Sequence, residues 1–175
     1  MLKIIAIAIL VAVVAILIYA TTKPDTFRVE RTSTIKAAPE KVFALIDDFH
    51  RWPTWSPYEK KDPDMKRAHS GAASGKGAIY EWDGDKNVGK GRMEVTESSP
   101  SSRIVIKLNF LAPFEAHNTA EFTLQAQGDS TQVTWAMYGP ANYVSKLMSV
   151  FFNMDKMVGD DFAIGLANLK AAAEK

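Results

Sequence analysis

Residues 131–170, TQVTWAMYGP ANYVSKLMSV FFNMDKMVGD DFAIGLANLK, change their hydrophobic period part-way along. Val133, Trp135 and Met137 alternate with Thr134 and Ala136, the period of two expected of a strand with one covered face. Past Gly139-Pro140, residues Val144, Leu147, Met148, Phe151, Phe152, Met157, Phe162, Leu166 and Leu169 recur at steps of three to four. That spacing predicts one long amphipathic helix running nearly to the end of the chain, with Asn153 or Gly159 as places where it bends. A strand that feeds directly into such a helix belongs to a sheet with one face to cover, and the helix must lie across that face.

Upstream, turn signals separate a series of alternating stretches. Phe27 to Lys36 reads as a first strand. Ala38-Pro39-Glu40 opens a helix, since a proline early in a helix forfeits only an N–H that lacks a partner anyway. Val42, Phe43, Leu45 and Ile46 give it an apolar face. Asp47 to Ser56 reads as a short helical or turn segment, stopped by Pro53 and Pro57. Strands follow at Gly77–Trp82, Val88–Glu97, Arg103–Phe110, Glu115–Gln127 and Thr131–Tyr138, with turn residues between them at the spacing of an antiparallel meander. Between these blocks, Lys60-Lys61 alternate with Glu59, Asp62 and Asp64 and read as a solvated loop.

Side-chain alternation then assigns the covered face. Tyr80, Trp82, Met93, Val95, Ile104, Ile106, Leu108, Phe110, Asn118, Ala120, Phe122, Leu124, Val133, Trp135 and Met137 all point the same way. Aromatic and Met side chains on a covered face usually form plain core. Tyr80, Trp82 and Trp135, however, carry polar tips that need partners once buried, and a mostly apolar lining with a few placed polar groups is also the make-up of a ligand cavity.

Ile4 to Thr22 is a run without a single charge, bracketed by Lys3 and Lys23. As a helix it spans roughly 28 Å, close to the hydrocarbon thickness of a bilayer. A cleaved signal peptide has a shorter apolar core and a small-x-small site. Here the nearest candidate, Ile18-Tyr19-Ala20, has a branched residue where a small one is needed. A buried core helix would need protein on every side. The uncleaved anchor therefore fits best. It divides the chain into an anchor over 1–22, a linker over 23–26 and one domain over 27–175. The short Lys3 head favours placing that domain outside the cytoplasm, although the Lys and Arg residues flanking the run are nearly balanced.

The formal net charge of +1 leaves no electrostatic footprint for nucleic acid. The chain has no cysteine, which permits an oxidising compartment and removes thiol chemistry. His50, His69 and His117 are far apart and fall in loops or on an outward strand position, with no metal-ligand spacing among them. No nucleophile elbow is present, and Gly75-x-Gly77 and Gly89-x-Gly91 lack the third glycine of a dinucleotide loop. Nothing here calls for a metal or cofactor, and nothing pairs a base with a nucleophile.

Several short patterns in their order carry a family likeness: Val29-x-Arg31 ahead of Ile35, Ala38-Pro39-x-x-Val42-Phe43, Trp52-x-x-Trp55-Ser56-Pro57, Gly77-x-x-Tyr80-x-Trp82-x-Gly84, Gly89-x-Gly91, Thr131-x-Val133-x-Trp135-x-Met137-x-Gly139, and Asp161-Phe162-x-x-Gly165-Leu166-x-x-Leu169-Lys170. Over essentially everything from Phe27 onward, the chain resembles the polyketide cyclase/dehydrase-like branch of the START/Bet v1 (SRPBCC) superfamily. The resemblance implies an α+β helix-grip fold: a seven-stranded antiparallel sheet wrapped around a long C-terminal helix with an apolar cavity between them, here preceded by one transmembrane helix. It does not choose among carriers, enzymes and interaction modules. The aromatic inward face beside an apolar anchor favours binding of a hydrophobic small molecule or lipid, with Trp55, Tyr80, Trp82, Phe110, Asn118, Trp135, Met137 and Met157 as the expected lining. A cyclase- or hydrolase-like enzyme using the same cavity, and an interaction module with the cavity filled, are the alternatives.

Overall fold

In the computed structural model, which describes residues 1–175, helix α1 (Leu2–Thr21) leads through a short connection into strand β1 (Thr26–Ile35). Helix α2 (Pro39–Ile46), a 3-10 helix (Phe49–Thr54) and a single helical turn, α3 (Tyr58–Lys61), come next. Six strands follow in succession: β2 (Lys66–Gly71), β3 (Ala78–Asp83), β4 (Lys90–Ser99), β5 (Arg103–Ala112), β6 (Ala116–Gln127) and β7 (Ser130–Pro140). Helices α4 (Tyr143–Phe151) and α5 (Met154–Ala173) end the chain. The strands form one antiparallel sheet in the order β1-β7-β6-β5-β4-β3-β2. This is the helix-grip architecture.

Two elements differ from the sequence reading. Residue alternation predicts six strands, and the seventh, β2, lies at Lys66–Gly71, where the sequence KRAHSG has no apolar alternation. It is an edge strand, exposed along most of its length, so no core face constrains its sequence. The single C-terminal helix is in fact two. Phe152 is extended (φ −122°, ψ 132°), and the Asn153 side chain caps a new helix by accepting from the Lys156 N–H. Asn142 caps α4 the same way through the Ser145 N–H. The apolar period runs across the break undisturbed, which is why periodicity alone does not reveal it.

α5 lies across the sheet with Phe162, Leu166 and Leu169 buried beneath it. Gly165 lets Trp135 and Pro57 press against the helix backbone where any Cβ would collide. Nearer the start of α5, Arg31 from β1 packs over Gly159 and grips Asp155 through two hydrogen bonds of 3.0 Å.

The register fixes which end of the sheet each loop occupies. Thr26 pairs with Pro140, Phe110 with Ala116, Lys90 with both Ala112 and Asp83, and Lys66 with Asp83. The β3–β4 turn, the β5–β6 turn and the start of α4 therefore share one end with the C-terminus of α1. At the other end α2 and the 3-10 helix close the fold. There Asp47 accepts from Ser98, its carbonyl accepts from the Gly75 N–H, and the Thr131 hydroxyl donates to the Ala37 carbonyl.

α1 is long and apolar enough to cross a membrane, a test that a signal sequence also passes. It is exposed throughout except at Ile16, which is half-covered, and Ala20, which is buried; Lys23, just past its end, is half-covered as well. α4 packs on α1, with the Tyr143 hydroxyl donating to the Leu17 carbonyl at 3.1 Å. Lys146 pairs with Asp25 in the connection.

Candidate functional site

Between the covered face of the sheet and the N-terminal half of α5 lies a cavity of about 470 Å³ lined by 20 residues, of which 15 are hydrophobic. It exists because the core is filled unevenly. Toward the closed end, Trp52, Trp55, Phe122, Trp135 and Phe162 interlock ring against ring, with Trp135 stacked on Phe162 at 4.0 Å and on Phe122 at 5.0 Å. Toward the end bearing α1, Met93, Leu108, Ala120 and Met137 line the sheet side without meeting a comparable set from α5, which offers Met157 and Val158.

Of the eight residues expected to line this space, Tyr80, Trp82, Phe110, Trp135, Met137 and Met157 do so. Met157 lies at the rim, 57% exposed. Trp55 and Asn118 are not on the wall. Trp55 is completely buried behind Trp135, and its indole N–H is committed to the Leu45 carbonyl at 2.9 Å, so it belongs to the aromatic block. Asn118 is buried opposite Leu108 on β6, its amide occupying the space that a side chain at Gly139 would need.

The polar tips resolve in three different ways. The Tyr80 hydroxyl donates to Glu59 Oε1 at 2.6 Å. The Trp82 indole N–H donates to the Val88 carbonyl at 3.0 Å, and its ring lies over Gly91, the one residue that leaves room for it. The Trp135 N–H is buried without any acceptor. Burial, reinforced by the hydrogen bond to Glu59, pushes the Tyr80 phenol well above its ordinary range. Burial and then the nearby Asp161 carboxylate do the same to Tyr58, also on the cavity wall.

Among the cavity-wall residues that the sequence reading misses, Glu59 is the buried charge. The loop assignment for Glu59–Asp64 treats it as solvated, yet α3 turns it inward until it is only 8% exposed. Its second oxygen accepts from Arg67 Nε at 2.7 Å, and the hydrogen bond to Glu59 raises the Arg67 guanidinium pKa further. Arg67 is anchored in turn by the Met65 carbonyl at 2.6 Å. A buried carboxylate survives only with such partners. Because they lie eight and twenty-one residues along the chain, no local pattern announces the cluster.

The histidines are exposed, but two of them meet. The rings of His50 and His69 stack at 4.2 Å, beside a minor pocket of about 120 Å³. His69 lies on β2 rather than in a loop, and partial burial followed by the neighbouring His50 lowers its pKa. His117 bonds Asn109 on the outer face of the sheet. No three His, Cys, Asp or Glu side chains converge as metal ligands.

The family model described as "Polyketide cyclase / dehydrase and lipid transport" matches residues 26–174. Among solved structures, protein CV1439 from Chromobacterium violaceum is similar with a TM-score of 0.61 at 18% identity, covering 87% of this chain and 99% of that one. The Aha1 dimer from Colwellia psychrerythraea gives 0.58 at 17% identity over 85% and 96%. The di-domain ARO/CYC StfQ of the steffimycin biosynthetic pathway gives 0.60 at 11% identity, with 85% of this chain against 51% of that one. At these identities the likeness is one of fold. No curated protein matches the chain.

Proposed function

The chain belongs to the polyketide cyclase/dehydrase and lipid transport family, and from that premise we propose that it is a membrane-anchored binding protein that holds a hydrophobic small molecule or lipid in its helix-grip cavity. The observation that carries this reading is the open volume of about 470 Å³ with its apolar lining, within the size range of small-molecule sites. The Tyr80–Glu59 pair, backed by Arg67, gives the wall a polar patch against which a hydroxyl or carbonyl on an otherwise apolar ligand can orient, and the Lys61–Asp161 ion pair gives it a second. Helix α1 supports the anchor by its length and by its uncharged apolar run from Ile4 onward. The open volume weighs against the reading in which side chains fill the interior and only the surface functions.

Native mass spectrometry of the full chain, gently extracted, tests this directly. A lipid-sized adduct is the expected result, together with a tryptophan fluorescence change on titration, because Trp82 and Trp135 sit on the wall. A clean apo mass, with no fluorescence response across a panel of lipids and polyketides, overturns it.

One observation favours a second reading, a cyclase- or hydrolase-like enzyme: a buried carboxylate hydrogen-bonded to a phenol on a cavity wall can hold and pass a proton. Under that reading, turnover disappears in both Tyr80→Phe and Glu59→Gln while the fold persists. Under the binding reading, there is no turnover to lose and the same variants shift ligand preference.

A further inference from the structure

We propose that α4, the first turn of α5 and the β5–β6 tip together form a face that docks on the bilayer, and that a membrane lipid enters the cavity through this face. The proposal rests on the reading of α1 as an anchor and of the cavity as a lipid site. α4, YVSKLMSVF, carries a single charge and has apolar residues on two sides. Leu147 and Val150 are half-covered, whereas Val144, Met148 and Phe151 are exposed; beyond them Phe152, Met154 and Met157 are exposed too, interspersed with Asn153, Lys156 and Asp155, whose carboxylate is drawn aside to Arg31. Leu111 and Phe114 at the β5–β6 tip are 51% and 71% exposed. Phe110 and Met157 both line the cavity, so the hairpin leading to the tip and the start of α5 border the same opening. Soluble monomers rarely leave apolar patches above a few hundred Å² to water.

Continuity with α1 identifies the occupant as lipid. The Tyr143 hydroxyl reaches the Leu17 carbonyl, which places the start of α4 beside the last turns of the apolar helix. Tyr19 and Tyr143, with Lys23 over the Tyr19 ring and Lys146 drawn to Asp25, gather the aromatic and lysine groups that favour a membrane–water boundary. Lys146 thereby keeps its charge off the exposed apolar side. At nine residues α4 is too short to span a bilayer, and it suits an interfacial position. The register puts the β3–β4 and β5–β6 turns at this same end, so the cavity rim faces the surface from which α1 emerges.

Because the chain has no cysteine, single cysteines can be labelled cleanly. The full chain is reconstituted in phosphatidylcholine vesicles with an environment-sensitive fluorophore at Leu10→Cys, Phe114→Cys, Phe151→Cys or, at the opposite end of the sheet, Gln127→Cys. Brominated acyl chains are expected to quench the first three strongly and the last not at all. Quenching at Leu10 without quenching at Phe114 and Phe151 overturns the docking face while leaving the anchor standing. No quenching at Leu10 overturns the anchor and the docking face together. Protection at Phe151 that follows protein density, with cross-links between chains, assigns the face to a second copy and overturns the proposal. For the route, Phe151→Asp with Phe152→Asp is expected to slow uptake of a fluorescent lipid from vesicles without changing the amount bound at equilibrium. An unchanged rate overturns entry through this face, and absence of equilibrium binding in the parent chain overturns the lipid-site reading instead.

Discussion

Ala120→Leu separates an open cavity from a filled one by the sign of two effects. Ala120 is 4% exposed, points into the cavity from β6 and sits across the ladder from Met137. Three added carbons entering empty apolar space recover about 0.8 kcal/mol each. Fixing the leucine rotamer costs about 0.5–1 kcal/mol, which leaves a stabilisation of roughly 1.5–2 kcal/mol. For a domain of this size each kcal/mol moves Tm by about 2–4 °C, so the ligand-free variant is expected to melt roughly 3–8 °C above the parent. Uptake, read by tryptophan fluorescence titration, falls in the same protein because the new side chain occupies ligand space. If the site is packed instead, overpacking costs about 1–3 kcal/mol. A lowered Tm with unchanged uptake would refute the open-cavity reasoning.

The polar groups of the wall yield three more expectations. Glu59→Ala strands the buried Tyr80 hydroxyl and deprives Arg67 of its carboxylate; because Arg67 is partly solvated the loss is about 2 kcal/mol, below the range for a fully buried pair, and Glu59→Gln loses less, both read from urea midpoints. Trp55→Phe abandons the Leu45 carbonyl, whereas Trp135→Phe removes a donor that has no acceptor, so the first costs more than the second by about 1–3 kcal/mol; equal losses would show that the Trp135 N–H is satisfied after all. Tyr58 and Tyr80 have folded-state pKa values raised above the ordinary phenol value of 10.0, so the unfolded chain releases those protons first and stability falls as pH rises past 10. In Tyr58→Phe that alkaline decline is expected to be shallower, and an unchanged slope in denaturant melts would show that the half-buried phenol is not shielded from water.

What the sequence discloses depends on how many neighbours constrain each residue. Strands β3 to β7 have one face on the core, and that face writes itself as alternation, so the inward set from Tyr80 to Met137 is legible residue by residue. β2 has a neighbour on one edge only and little core contact, so KRAHSG carries no such mark. The break between α4 and α5 is half legible: Asn153 reads as a bend, but not as the start of a separate helix. Its marker, an Asn cap, sits inside an apolar period that continues because α4 has apolar residues beyond those packed on α1. Glu59 escapes because a charge at the head of a charged run reads as solvated, while the groups that justify its burial arrive from β2 and β3.

The cavity is a subtler case, because alternation states which side chains face inward and not how much space they leave. Trp55 and Met137 are both apolar and both buried, yet one closes the interior and the other borders its opening. The difference lies in what comes from across the layer. Trp55 meets Phe122 and Trp135 within 6.0 Å, ring against ring. Along Met137 the facing helix starts late, since Phe152 and Asn153 interrupt it and α4 departs to pack on α1. Had the C-terminal helix continued unbroken, the apolar residues before Asn153 would have followed α5 over the sheet. The same extended residue that splits the helix thus leaves the sheet uncovered toward α1 and turns Phe151 outward. Shortening the break should couple the two: deleting Phe152 in a way that fuses α4 to α5 is expected to shrink the cavity and bury the α4 face together, seen as lost ligand uptake alongside lost binding of a hydrophobic dye. Loss of one without the other would mean that the opening and the exposed face have separate origins.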